Sequence, residues 1–106
     1  MSNYNSLSLV VPAYKQEKTI LKDIKNLNDV LSGLGLDFEI IVVIDGFVDK
    51  TYVRIKNQES SIRQAQDKRI KNLKVLGYER NKGKGFAIKY GVEKSKKEII
   101  GFIDAG

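Results

Sequence analysis

The feature that most constrains this chain is a continuous apolar run, Ile40-Ile41-Val42-Val43-Ile44, which stops at Asp45-Gly46. A run of this length suits a strand and is too short to span a membrane. It contains only Ile and Val, the pattern of a strand buried on both faces, as in a parallel sheet. A carboxylate at Asp45 would then sit at the carboxyl edge of the sheet, where open α/β sheets take their ligands. A plain turn is the alternative reading of Asp45-Gly46, and three further strand ends give the ligand reading its weight. Asp49 and Thr51 look like the start of a helix, with Asp49 as N-cap.

The rest of the chain alternates around that run. Leu7 to Val11 reads as a first strand closed by Pro12, which cannot donate to a ladder. A helix follows, with Ile20, Ile24, Leu27, Leu31 and Leu34 on one face and an end at Gly33 and Gly35. From Thr51 to about Asp67 the pattern predicts a thinly amphipathic helix on Tyr52, Ile55, Ile62 and Ala65. Leu73 to Tyr78 is a third strand, at a sheet edge because Lys74 and Gly77 interrupt it. Phe86 to Lys94 predicts a helix with Phe86, Ala87, Tyr90 and Val92 inward, and Gly91 inside it predicts close packing on a strand. Glu98 to Ile103 is a fourth strand, ending at Asp104. This order predicts an α/β, Rossmann-like fold: a mostly parallel sheet of about four strands with helices on both faces.

A length of 106 residues allows one domain, residues 1–106. With neither cysteine nor histidine, any metal must take oxygen ligands, which favours Mg²⁺ or Mn²⁺. Residues 1–6 are polar, so no targeting segment is read and a cytoplasmic location is the default expectation. The last strand lacks a closing helix. This predicts the amino-terminal part of a larger domain, with an apolar sheet face that could drive self-association.

In a parallel sheet the strand ends share one edge. Pro12-Ala13-Tyr14, Asp45, the loop Arg80 to Gly85 and Asp104 could therefore converge on one anionic, metal-bound ligand such as a nucleoside diphosphate. Tyr14 could pack on a ring, Asp45 accept from a base or ribose, and Asp104 hold the cation. Gly83-Lys84-Gly85 fits neither the P-loop nor the dinucleotide fingerprint. On spacing alone it is a solvated turn or a set of backbone N–H groups for a phosphate. The net charge of +6 is compatible with phosphate ligands, with nucleic acid or with an anionic membrane. No reading element for nucleic acid accompanies it, so no such partner is expected.

Together these pieces resemble the amino-terminal, nucleotide-binding half of family-two glycosyltransferases, which have the GT-A fold. Val11-Pro12-Ala13-Tyr14 with Glu17 and Ile20 is similar to the family's first motif, and Val42 to Gly46 with Asp49 and Thr51 to its second. Asn81 to Ala87, followed by Tyr90-Gly91, resembles its third, especially in the polyprenyl-phosphate sugar transferase branch. Ile103-Asp104-Ala105 matches the start of its D-x-D motif. Lys15-Gln16 replaces the usual Asn-Glu, Ile44 the first acid of a frequent Asp pair, and Gly106 the second acid of D-x-D.

The resemblance implies inverting, metal-assisted transfer of a sugar from a UDP- or GDP-sugar. The acceptor stays open between a polyprenyl phosphate and a glycan. It implies that Pro12, Ala13, Tyr14, Glu17, Asp45, Lys84 and Asp104 bind substrate and that Asp104 binds Mg²⁺ or Mn²⁺. The catalytic base is expected beyond Gly106, so the chain alone is expected to be inactive, and membrane association would come with a longer protein. Two rival readings stand beside it. One is a non-catalytic nucleotide-binding module. The other is a basic domain that binds RNA or an anionic membrane through Arg80 to Lys89.

Overall fold

The computed structural model describes residues 6–59, 70 and 72–103. Among these, four strands form one parallel sheet in the order β3-β2-β1-β4. The chain runs β1 (Ser6–Ala13), α1 (Ile20–Gly33), β2 (Asp37–Asp45), α2 (Thr51–Lys56), β3 (Leu73–Tyr78), α3 (Lys84–Glu93) and β4 (Ile99–Phe102). The predicted alternation and the edge position of β3 are both present.

The apolar run of β2 is continuous because the two faces of the sheet divide it. Successive side chains point to opposite faces. Ile40, Val42 and Ile44 join Val11, Ala13, Ile20, Ile24 and Ile55 in one core, under α1 and α2. Ile41 and Val43 join Val10 and Ala87 in a second core, under α3. All five residues of the run are fully buried. Burying each such side chain stabilises by about 1.5–3 kcal/mol, so this one strand anchors both layers.

The second core is thin where α3 crosses the sheet. A Cβ on Gly91 would lie 2.5 Å from Val10 Cγ1 and 3.0 Å from Val43 Cγ2. The predicted close packing of Gly91 is therefore observed, and it explains a glycine within a helix.

Several boundaries differ from expectation. Pro12 lies inside β1 rather than closing it, in register with Val43. The β4 ladder ends at Val10, so the proline sits where the strand keeps a neighbour on one side only. Leu34 follows the last turn of α1 and is 61% exposed, so it leaves the apolar face that Ile20, Ile24 and Leu31 bury. The helix expected to reach Asp67 stops at Lys56. A turn carries the chain to Glu59, which bridges Ile70 and whose carboxylate accepts from the Val75 N–H at 2.7 Å. The expected positions Ile62 and Ala65 lie outside the described residues, as does Asp104. α3 begins two residues early, at Lys84, and Phe86 faces outward at 42% exposure.

At the amino edge of the sheet, buried Ser8 ties three segments together. Its hydroxyl donates to Glu39 Oε2 at 2.6 Å and accepts from the Lys97 N–H at 3.0 Å. The Lys96 N–H donates to the same Glu39 oxygen at 2.9 Å. Burial pushes the Glu39 carboxyl up. The Ser8 and Lys96 hydrogen bonds and the charges of Lys74 and Lys97 outweigh this and hold it below the ordinary value of 4.5.

Candidate functional site

β1, β2 and β3 all deliver their carboxyl ends to the same edge, and a cleft of about 290 Å³ opens there. Pro12, Ala13 and Tyr14 come from the end of β1, Gln16 from the loop after it, Asp45 from the end of β2, and Asn81, Gly83 and Lys84 from the approach to α3. Sequence reasoning placed Pro12, Ala13, Tyr14, Asp45 and Lys84 at the site, and the structure brings these five together.

Glu17 goes elsewhere. Its Oε1 accepts from the Lys50 N–H at 3.2 Å, and it lines a neighbouring depression with Lys15, Lys18, Asp23 and Asp49. Gln16 borders both hollows. The reason is local geometry: Lys15 takes a left-handed backbone with φ of 52°, which turns the chain so that residue 17 leaves the cleft.

Asp45 is held by partners within the chain. It is 4% exposed, and at an odd position of β2 it falls on the α3 side of the sheet. Its Oδ1 accepts from the Tyr78 hydroxyl at 2.9 Å and the Lys82 N–H at 2.7 Å. Its Oδ2 accepts from Asn81 Nδ2 at 2.8 Å and the Gly83 N–H at 3.0 Å. A carboxylate offers about four acceptor sites. Protein donors from residues 78–83 thus reach both of its oxygens, and Asp45 still borders the cleft.

Burial, followed by the hydrogen bond to Asp45 and its negative charge, pushes the Tyr78 phenol well above its usual range. It stays a protonated donor at any physiological pH. The Tyr78 ring packs edge-on against Phe86 and Tyr90 of α3, with centroids 5.2 and 5.4 Å away.

The first wall is braced through Thr51, which is fully buried. Its hydroxyl accepts from the Gln16 N–H at 2.8 Å and donates to Asp49 Oδ1 at 2.6 Å. Asp49 Oδ1 also accepts from the Thr51 N–H at 2.9 Å, the task of a cap performed one residue before the formal N-cap, Lys50. Burial pushes the Asp49 carboxyl up, but the hydrogen bonds from Thr51 prevail and hold it below its ordinary 3.8.

Gln16, Tyr78 and Asn81 were missed as individual site residues. Asn81 stood inside the recognised loop, and asparagine beside glycine is a turn signal. Nothing local marks Tyr78 as a partner of Asp45. Gln16 Oε1 accepts from the Tyr14 N–H at 3.2 Å, and its Nε2 is buried with no partner among the described residues.

No group of three or more carboxylates fit to hold a metal occurs among the described residues. None of their helices is long and apolar enough to cross a membrane.

An open parallel α/β sheet with a cleft at its carboxyl edge, walled by a glycine loop that leads into a helix, belongs to the Rossmann-like α/β class, which takes its ligands at that edge. Residues 8–105 match the family described as Glycosyl transferase family 2, and the chain belongs to that family. It is 36% identical over 104 residues to a dolichyl-phosphate beta-glucosyltransferase of Trichomonas vaginalis, covering 93% of this chain and 30% of the relative. It is 32% identical over 99 residues to a glycosyltransferase of Synechocystis, covering 93% and 29%. The chain thus spans less than a third of the length of these relatives. Among solved structures, S. aureus TarS superposes with a TM-score of 0.71 at 26% identity, over 94% of this chain and 16% of that one. TarS 1-349 in complex with UDP-GlcNAc does so with a TM-score of 0.67 at 25% identity, over 94% and 26%. The expected GT-A relationship and the likeness to polyprenyl-phosphate sugar transferases are both supported by these matches.

Proposed function

We propose that this chain forms the donor-binding part of a glycosyltransferase that takes its sugar from a UDP- or GDP-sugar. The observation that carries the reading is the cleft at the carboxyl edge. Its volume is near the lower end for small-molecule sites, room for a nucleoside with the diphosphate directed outward. In this reading the base and ribose lie along Pro12, Ala13 and the Tyr14 ring. The phosphates lie toward Lys84, where the start of α3 favours negative charge. TarS in complex with UDP-GlcNAc supports a nucleotide sugar as ligand. The dolichyl-phosphate beta-glucosyltransferases support a polyprenyl phosphate as acceptor.

The reaction would be an inverting displacement. An acceptor oxygen loses its proton and bonds to the anomeric carbon, while the bond from that carbon to the diphosphate oxygen breaks. Asp45 is the one carboxylate that borders the cleft among the described residues. Protein donors already engage both of its oxygens, which disfavours it as the base, and the base is expected beyond Gly106. The assignment of Mg²⁺ or Mn²⁺ to Asp104 rests on the sequence motif.

Calorimetric titration with UDP, GDP, UDP-glucose, UDP-GlcNAc and ADP tests the reading. Binding of a uridine or guanosine diphosphate in preference to ADP is the expected result. Equal affinity for all, or none for any, would sink it.

A further inference from the structure

Four side chains recur at every fourth position along α3: Lys82 just ahead of the helix, Phe86 and Tyr90 within it, and Lys94 at its C-cap. Residues so spaced share one face of a helix. The Phe86 and Tyr90 rings stack with centroids 6.3 Å apart and planes 20° from parallel. Tyr78 packs edge-on against both and fixes them. The Lys82 ammonium stands 4.8 Å from the Phe86 centroid, and the Lys94 ammonium 5.6 Å from that of Tyr90. Phe86 and both lysines are exposed. Among the described residues Lys82, Lys89 and Lys94 make no ion pair. From Glu79 to Lys97 seven lysines and arginines stand against two carboxylates, Glu79 and Glu93, so this stretch carries much of the chain's positive charge.

We propose that the row Lys82, Phe86, Tyr90 and Lys94 is a membrane-contact surface that seats α3 on an anionic lipid bilayer, its rings at headgroup level and its ammonium groups on lipid phosphates. Aromatic rings with one apolar and one wet side favour that level, and each lysine near an anionic surface adds about fivefold in affinity. Rings already fixed by Tyr78 lose little freedom on docking. A nucleic acid fits less well: a lysine stands over each ring, and a base would have to displace it before stacking. A lipid headgroup instead meets cation and ring together. The purpose of the contact rests on the glycosyltransferase reading above, with a polyprenyl phosphate as acceptor. Lys82 lies between the cleft residues Asn81 and Gly83, so seating the row brings the cleft rim to the surface where the phosphate of such an acceptor lies.

The chain holds no tryptophan, so Phe86→Trp places a reporter in the row. Its emission should move to shorter wavelength on phosphatidylcholine–phosphatidylglycerol vesicles and stay unmoved on phosphatidylcholine alone. Co-sedimentation of the whole chain with the mixed vesicles gives affinity. Lys82→Gln with Lys94→Gln should weaken binding more than tenfold, and Phe86→Gln about tenfold. Two controls should bind nearly as the wild type does. Lys22→Gln with Lys25→Gln removes the same charge from exposed sites on α1, across the sheet from α3. Phe102→Gln removes an exposed ring from β4. All the replaced side chains are exposed, and far-UV circular dichroism checks that each variant is folded.

No binding of the wild-type chain to the mixed vesicles would overturn the proposal. So would unmoved emission in a vesicle-bound Phe86→Trp chain, or equal losses in the α1 and α3 lysine variants. A loss confined to Phe102→Gln would place the contact on β4 and overturn it as well. Tighter binding to polyuridylic acid than to vesicles, lost with Lys82 and Lys94, would make the row a nucleic-acid surface instead. The vesicle measurement uses no nucleotide, so a failed titration with UDP and GDP would defeat the donor reading and leave this contact standing.

Discussion

Gly91→Ala sets two known effects against each other. In an open helix, replacing glycine by alanine stabilises by up to about 1 kcal/mol. At Gly91 the new methyl would lie 2.5 Å from Val10 Cγ1, with Val43 Cγ2 at 3.0 Å and Val10 Cγ2 at 3.2 Å. Ordinary carbon contacts are about 3.5–4.0 Å. The nearest contact is thus about 1 Å too close. Val10 and Val43 cannot yield readily, being fully buried and β-branched with restricted χ1. α3 must lift from the sheet instead, loosening Ala87 as well. Overpacking of this kind costs about 1–3 kcal/mol, and so deep a clash belongs at the upper end. Less the propensity gain, a net loss of about 2 kcal/mol remains. Gly85 is the internal control: it lies in the same helix and a Cβ there meets nothing within 4 Å. Gly85→Ala should leave stability unchanged or raise it by up to about 1 kcal/mol. Urea unfolding followed by far-UV circular dichroism measures both. A Gly91→Ala chain as stable as the wild type would refute the claim that α3 sits at the limit of approach.

Thr51→Val should cost about 1–3 kcal/mol in the same assay, because it strips partners from the Gln16 N–H and the Asp49 carboxylate together; a neutral outcome would deny the brace beneath the first wall. Glu39 is held below its ordinary value of 4.5, so its contribution to stability is present above that pH and is lost as pH falls through the lowered folded value. Glu39→Gln should therefore flatten the acid limb of the stability profile, and an unaltered limb would contradict the tie to Ser8 and Lys96. Asp104→Asn should abolish any gain in nucleotide affinity on adding Mn²⁺; a gain that survives would remove Asp104 from cation binding.

What the sequence disclosed, and what it hid, follows from the range of each signal. The buried strand was legible because Ile40 to Ile44 states its environment in five consecutive letters. Gly91 was legible because a glycine inside a helical pattern asks for a steric reason. Asp45 could be placed at the sheet edge, but not its partners within the chain, since they lie 33 to 38 residues further on. Phe86 was read as core because hydrophobicity was its only visible property. In the fold its ring meets Tyr78 and Tyr90 at the surface. Glu17 was carried into the cleft by its motif, whereas the left-handed turn at Lys15 sends it to the Lys50 N–H. The helix after Thr51 was overextended because its apolar stripe was thin and no stop signal stood at Lys56.

The central place of β1 also orders events in time. Its pairing with β2 joins residues 31 apart, as between Ser8 and Glu39, while its pairing with β4 joins residues 92 apart, as between Ser6 and Glu98. Closing the longer loop costs about 1 kcal/mol more in chain entropy. The return is also smaller, since the β1–β4 ladder covers half as many residue pairs, four against eight. Such non-local pairing forms slowly. The β1–α1–β2 unit is therefore expected to assemble first, with Ser8 and Glu39 already joined and waiting for the Lys96 and Lys97 amides. Pulsed hydrogen exchange during refolding should protect Ile40 to Ile44 before Ile99 to Phe102. Simultaneous protection would mean that all four strands condense in a single step.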